Sequence, residues 1–329
     1  MADSGSPEPV MRVARAFWEA RLILTANELR LFDRVATGAA TVAEIAAAVG
    51  TEPRSTEIIL NALVGQGLLT KSGDRFANTP DTAAFLVSSA PASIAAALDH
   101  YNNLWDTWSQ LTEVVRSGQP ALRQPRANAP ASSLEAFILA MHSFARPRAA
   151  GVVDAIDLQG VARVLDIGGG PGTFSCEFAR RGDIRATVLD FPDVLVITRR
   201  LAAEAGLADR IATIPGDALE TDFGSGYDLI FISALIHSCS PDETRLLFTK
   251  AFAALNPGGQ VVVQDFFLDE SKTLPPSASL FAVNMLVGTA GGRSYSEAET
   301  REWLAEVGFG SLCRRDPDIF AALIIGRKP

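Results

Sequence analysis

The stretch Val164-Leu-Asp-Ile-Gly-Gly-Gly-Pro-Gly-Thr173 constrains this chain more than any other. Apolar Val164, Leu165 and Ile167 predict a short buried strand. Gly168, Gly169, Gly170 and Gly172 follow at once. Thr173 to Arg181 then predicts a helix, with Phe174, Phe178 and Ala179 at helical spacing. Strand, glycine turn and helix form the plan by which an α/β sheet holds a nucleotide-like ligand at the carboxyl ends of its strands. Glycines turn tightly and let a ligand approach without meeting a Cβ. The pattern is not the dinucleotide fingerprint: from Gly168 it reads G-G-G-P-G, and from Asp166 it reads D-x-G-x-G-x-G. A pyrophosphate wants a helix amino end. An acid two residues before the first glycine suits a cation or an amine better. The competing reading is a turn that merely links strand to helix.

From about Val161 onward, strands and helices alternate. Val164-Leu165 is the first expected strand, and Arg185 to Leu189, ending in Asp190, the second. Ile211 to Ile214, ending in Gly216-Asp217, is the third. Tyr227 to Ser233 is the fourth and Gly259 to Asp265 the fifth. Helices are expected over Val194 to Ala205 and Pro241 to Leu255, the latter stopped by Asn-Pro-Gly-Gly. A last helix, Ser296 to Val307, and a strand, Phe320 to Ile325, would close the sheet at its edge. Such alternation predicts a doubly wound, mostly parallel sheet covered on both faces.

In such a sheet the carboxyl ends of the strands form the ligand rim. Asp166, Asp190 and Asp217 all fall there. Asp190 lies about twenty residues past the glycine loop, where an acid can accept both hydroxyls of a ribose. Asp217 can accept an adenine amine. Each can equally be an Asx turn or a helix cap, but all three on one rim with the glycine loop favour an adenosine-like ligand. Of the chain's three histidines, His237 sits just past the fourth strand, placed for proton transfer. Asp265, ending the next strand, can accept its ring N–H and set the tautomer. His142, His237 and Asp265 would also make a two-His, one-carboxylate set, although nothing in the spacing demands a metal.

The amino-terminal part is helical over residues 10–36, 41–50 and 55–67, with a hairpin around Ser72-Gly73-Asp74. That is the winged-helix plan, whose sharp reading is a DNA reader. Its second helix offers no Arg or Lys after Arg54, and the net charge is -9, so a structural or dimerising role is expected instead. Residues 91–118 read as a further helical region with Leu98, Tyr101, Leu104, Trp105 and Trp108. Gly118 to Pro130 reads as a loop, and Leu134 to Ala150 as a helix. Three scattered cysteines fit a reducing compartment. No apolar run reaches membrane-spanning length. The acidic, polar start is neither a signal nor a transit peptide, so a soluble cytoplasmic protein is expected.

At this point the chain resembles class I S-adenosylmethionine-dependent methyltransferases, in the small-molecule O-methyltransferase family that includes plant caffeate and bacterial polyketide enzymes. The motifs that carry the resemblance are Val164 to Gly172, Val188-Leu-Asp-Phe-Pro192, Gly216-Asp217, His237 followed by Ser240-Pro-Asp-Glu243, and Leu255-Asn-Pro-Gly-Gly259. It implies a Rossmann-like doubly wound sheet behind an all-helical, winged-helix amino-terminal domain. It divides the chain into a dimerisation domain (1–90), a helical linker contributing to the substrate pocket (91–150) and a cofactor-binding catalytic domain (151–329). Asp166, Gly168, Gly170, Asp190, Asp217, Ala218 and Ser233 are placed at S-adenosylmethionine. His237 is placed as general base with Asp265 beside it. Met141, His142, Asn284 and Met285 are placed at the acceptor. The implied partners are a small-molecule acceptor and a second copy of the chain, with no nucleic acid, membrane or metal. The sequence departs from the plant pattern: Ser238 and Cys239 replace an acid and a Trp beyond the base, Ser294 replaces a second acid, and Ser233 replaces a Lys. C- or N-methylation, a metal-assisted version and a ligand-sensing DNA-binding regulator are the alternatives.

Overall fold

A left-handed backbone at Arg30 (φ 54°) splits the first expected helix into α1 (Glu8–Glu28) and α2 (Leu31–Ala36). The apolar periodicity runs through the break because Leu24, Leu31, Phe32 and Val35 are all buried. The computed structural model describes residues 6–121, 131–317 and 321–329. Helix α3 (Val42–Val49) starts on a capping box of Thr41 and Glu44 and stops at left-handed Gly50, as a capping signal and a glycine stop dictate. Helix α4 (Pro53–Gly65) follows. Strands β1 (Ala40–Thr41), β2 (Leu69–Ser72) and β3 (Arg75–Asn78) make a small antiparallel sheet in the order β1-β3-β2. The two-residue β1 is too short to leave a sequence pattern. Helix α5 (Pro80–Phe85) comes next, and then α6 (Ala95–Trp108). The chain divides within α6 into two compact units, Met1–Leu104 and Trp105–Pro329. In the first unit α1 leaves Val10, Val13, Phe17 and Trp18 more than half exposed.

The second unit continues with α7 (Leu111–Ser117), α8 (Ala131–Ala145) and α9 (Ala149–Asp154). One helix over Leu134 to Ala150 was the expectation. It is instead two, because Pro147 has no N–H and cannot continue a helix. Most of the loop expected over Gly118 to Pro130 lies outside the described residues. Seven strands follow: β4 (Arg163–Ile167), β5 (Arg185–Asp190), β6 (Ile211–Pro215), β7 (Tyr227–Ser233), β8 (Leu255–Asp265), β9 (Gly310–Arg315) and β10 (Ala322–Arg327). Between them lie α10 (Thr173–Arg180), α11 (Pro192–Glu204), α12 (Pro241–Ala254), α13 (Pro276–Gly288) and α14 (Glu297–Val307).

The sheet order is β6-β5-β4-β7-β8-β10-β9, with the first five strands parallel and the last two antiparallel. This is the Rossmann-like doubly wound sheet. Two details correct the expectation. The last strand does not close the edge, because β9 lies outside it. Strand β8 begins at Leu255 rather than Gly259, and Leu255 pairs with Tyr227 before the register shifts.

Alternation along each strand sends neighbouring side chains to opposite faces. Leu165, Ile167, Ile230, Ile232, Val261 and Val263 share one core with Phe248, Trp303 and Leu304 of α12 and α14. Val164, Val188, Leu229, Phe231 and Val262 share the other with Phe178 and Leu195. Phe231 is fully buried and holds Phe174 and Phe178 at ring-centroid distances of 5.1 and 5.3 Å. Phe231→Ala should therefore cost about 3–5 kcal/mol. The measurement is a denaturant titration, in which the midpoint falls.

Candidate active site

The glycine loop sits where β4 ends, and its neighbours exclude side chains from it. Gly168, Gly170 and Gly172 have φ of 66°, 52° and 71°. A Cβ on Gly169 would stand 2.6 Å from the Asp166 carboxyl carbon, and one on Gly172 would stand 2.9 Å from Thr198 Cγ2. The Thr198 hydroxyl, fully buried, donates to the Gly170 carbonyl at 2.6 Å and so pins the loop to α11. Nothing in the local pattern around Thr198 distinguishes it from other helix positions, so sequence reasoning missed it.

Asp166 lies beneath this loop, almost wholly buried. Its Oδ2 accepts the Ser175 hydroxyl at 2.7 Å, and its Oδ1, also buried, has no partner among the described residues. Burial, with the nearby Asp190 adding to it, pushes the carboxyl up to about 7. Asp190, at the end of β5, accepts the Gly170 N–H on Oδ2 at 2.9 Å and the Phe191 N–H on Oδ1 at 2.7 Å. Asp217, just past β6, accepts the Leu219 N–H at 2.8 Å, so it forms an Asx turn as well as standing on the rim. Ala218 follows it. At the end of β7 the Ser233 hydroxyl donates to Gln264 Oε1 at 2.8 Å.

Beyond Ser233 the chain passes through left-handed Ala234 (φ 52°). Such a conformation is uncommon for a residue with a Cβ and carries strain. It leads into a 3-10 turn, Ile236–Ser238, that holds His237. His237 is buried, and its Nδ1 lies 2.8 Å from Asp265 Oδ1. A carboxylate only accepts, so in the neutral ring the pair places the proton on Nδ1 and leaves the lone pair on Nε2. Phe281 of α13 meets the imidazole edge to face at 4.7 Å, and Phe266 lies against Phe281 at 4.5 Å with the rings tilted by 43°. Both phenylalanines are partly exposed, so the imidazole lies under an aromatic pair. Helix α13 also carries Asn284, whose Oδ1 accepts the Trp108 indole N–H at 2.8 Å, and buried Met285. Its apolar residues are spread around the helix rather than on one stripe, which is why periodicity did not reveal it.

The loop after α13 packs against the turn that carries His237. Gly292 leaves no room for a Cβ against the His237 carbonyl, and its N–H donates to Thr289 Oγ1 at 2.9 Å. Ser294 donates to the Ala278 carbonyl at 3.0 Å. Tyr295 donates to the Cys239 carbonyl at 2.5 Å. Burial pushes the Cys239 thiol up to about 12, so it is no nucleophile. The Gly291-Gly292 pair was the available signal for this close approach.

On α8, Met141 is half-buried, and His142 Nδ1 lies 2.8 Å from Thr173 Oγ1, at the first turn of α10. Burial, reinforced by Arg146, holds His142 below its ordinary value. The structure thus joins His237 to Asp265 and His142 to the glycine-loop helix. Among the described residues no group of three His, Cys, Asp or Glu is arranged to hold a metal, and no helix is long and apolar enough to cross a membrane.

The chain matches two domain families: an O-methyltransferase domain over residues 108–310 and an O-methyltransferase dimerisation domain over residues 11–88. It is 31% identical to 3-hydroxy-5-methyl-1-naphthoate 3-O-methyltransferase of Streptomyces sahachiroi, covering 92% of this chain and 89% of that one. It is 29% identical to the mitomycin biosynthesis 6-O-methyltransferase of Streptomyces lavendulae, covering 93% and 90%. The solved structure of PigF with SAH superposes with a TM-score of 0.90 at 26% identity, covering 98% of this chain and all of that one.

Asp166 gives the fold a pH dependence. Its folded value, about 7, stands above the unfolded 3.8. The folded state therefore holds the extra proton between those values, and stability falls as pH rises through that window. Asp166→Asn should flatten this fall. Thermal melts of both proteins at steps from pH 4 to 8 check it.

Proposed function

The chain belongs to the O-methyltransferase family and uses S-adenosylmethionine as methyl donor, and on that premise we propose that His237 is the general base for methylation of a small aromatic or polyketide-like hydroxyl. The buried His237–Asp265 pair beneath Phe266 and Phe281 is the observation that carries the reading.

The residues at the rim fit the donor. It is a cationic adenosine compound, and the rim offers a glycine cradle, three carboxylates and no bulky side chain within the loop. The unpartnered Asp166 Oδ1 suits a ligand bearing positive charge. In this reading Asp166, Gly168 and Gly170 hold the amino-acid end, Asp190 the ribose, and Asp217 with Ala218 the adenine. Ser233 stands at the same rim. When bound, the donor supplies a methyl group already activated on a sulfonium.

What is left for the chain is orientation, desolvation and removal of one proton. Orientation of two bound partners supplies roughly 7–11 kcal/mol in favourable cases. A phenol, with a pKa of about 10, is mostly un-ionised at neutral pH. Nε2 of His237 takes its proton as the oxygen attacks, and Asp265 stabilises the imidazolium that forms. Met141, His142, Asn284 and Met285 line the acceptor side, with the faces of Phe266 and Phe281 favouring a flat ring. The O-methyltransferase match and the O-methylating relatives favour oxygen over carbon or nitrogen as the target.

His237→Ala should bind S-adenosylhomocysteine as the parent does and lose about 10²–10⁴ in turnover. Calorimetry and methyl-transfer assays read the two halves, and undiminished turnover on the true acceptor would sink the assignment.

The match to a dimerisation domain supports a homodimer formed by the amino-terminal domain. The exposed Val13, Phe17 and Trp18 of α1 are the apolar surface for it. Phe17→Glu with Trp18→Glu should shift the protein from dimer to monomer in light scattering. A dimer unaffected by both changes would place the interface elsewhere.

A further inference from the structure

The segment between β6 and β7 carries Asp217 and Ala218, yet it is tied to itself more than to the body of the unit. The Asp217 carbonyl accepts the N–H groups of Glu220 and Thr221 at 3.1 and 2.8 Å, and Asp222 accepts from Gly224 at 2.9 Å. Gly216 donates to the Asp190 carbonyl at one end, and buried Phe223 anchors the other. Among the described residues, one side chain from outside the segment hydrogen-bonds into residues 217–222. It is Lys250 of α12, whose Nζ donates to the Ala218 carbonyl at 2.5 Å and lies 4.5 Å from the Phe223 ring centroid. Burial holds this ammonium below its ordinary value, while Asp217, Asp222 and Glu220 oppose that. An aliphatic side chain would fill the space over Phe223 without that desolvation. The ammonium adds a charge-assisted bond to one loop carbonyl.

We infer that Lys250 is a positioning residue for the donor: by holding the Ala218 carbonyl it sets the turn that presents Asp217 to the adenine. The inference rests on the reading of Asp217 and Ala218 as cofactor contacts. Lys250 touches neither reacting partner, so it acts on donor affinity and not on the chemical step.

The test is calorimetric titration of the full-length protein with S-adenosylhomocysteine and with 5′-methylthioadenosine, which lacks the amino-acid chain. Lys250→Ala should weaken both ligands by a similar factor, about tenfold. It should leave kcat at saturating donor and the acceptor KM near those of the parent. Lys250→Arg, which restores a cationic donor, should recover most of the affinity. A melting temperature close to the parent's keeps loss of fold apart from loss of position. Parental affinity in Lys250→Ala alongside weakened binding in Asp217→Ala would overturn the inference and leave the cofactor reading standing. Parental affinity in both variants would remove that reading and the inference with it. A loss for S-adenosylhomocysteine that 5′-methylthioadenosine does not share would also overturn it, since the effect would then lie at the amino-acid end.

Discussion

Asp190 ties three strand ends into one rim. Its two carboxylate oxygens take the N–H groups of Gly170 and Phe191, and its own carbonyl takes that of Gly216. The glycine loop after β4, the start of α11 after β5 and the turn after β6 are therefore fixed relative to one another by a single residue. Each bond replaces water on a group that folding would otherwise leave unsatisfied. The mutual placement of these segments depends on that fixation, because a sheet alone aligns strands and leaves the loops beyond them free. Thr198 supplies a second tie to the same loop, from the opposite side of Gly170.

Two groups of residues are separated along the sheet. Carboxylates and glycines gather at the ends of β4, β5 and β6. A histidine, its carboxylate and aromatic rings gather at β7, β8 and α13. The His237–Asp265 pair joins two neighbouring strand ends. The aromatic pair above it lowers the local dielectric and so strengthens any charge interaction made there. Ser294 carries no charge, and its hydroxyl donates to the Ala278 carbonyl. Asp265 is the carboxylate paired with the His237 imidazole.

The parallel part of the sheet was legible because five strands with buried faces read as apolar runs, and glycines or acids mark the carboxyl ends of four of them. Asp166, Asp190, Asp217, His237 and Asp265 could be placed on one rim from strand ends alone. Strand β9 was not legible: Gly310 to Arg315 is half polar and sits at an edge, so no apolar alternation announces it. Helix α13 escaped because residues spread around its axis show no period, although the family resemblance had already singled out Asn284 and Met285 within it. Thr198, Ser175 and Lys250 escaped for another reason. Each acts through a side-chain bond to another part of the fold, from a helix position where a polar residue is unremarkable. Only the folded chain shows which carbonyl or carboxylate lies opposite.

The missing Cβ of Gly292 lets the loop beyond α13 pack directly on the turn that bears His237. With the Gly292 backbone against the His237 carbonyl and Tyr295 bonded to Cys239, the loop beyond α13 and the turn bearing His237 form one mechanical body. A substitution that shifts this loop therefore shifts the backbone beneath the imidazole with it, although it lies more than fifty residues away along the chain.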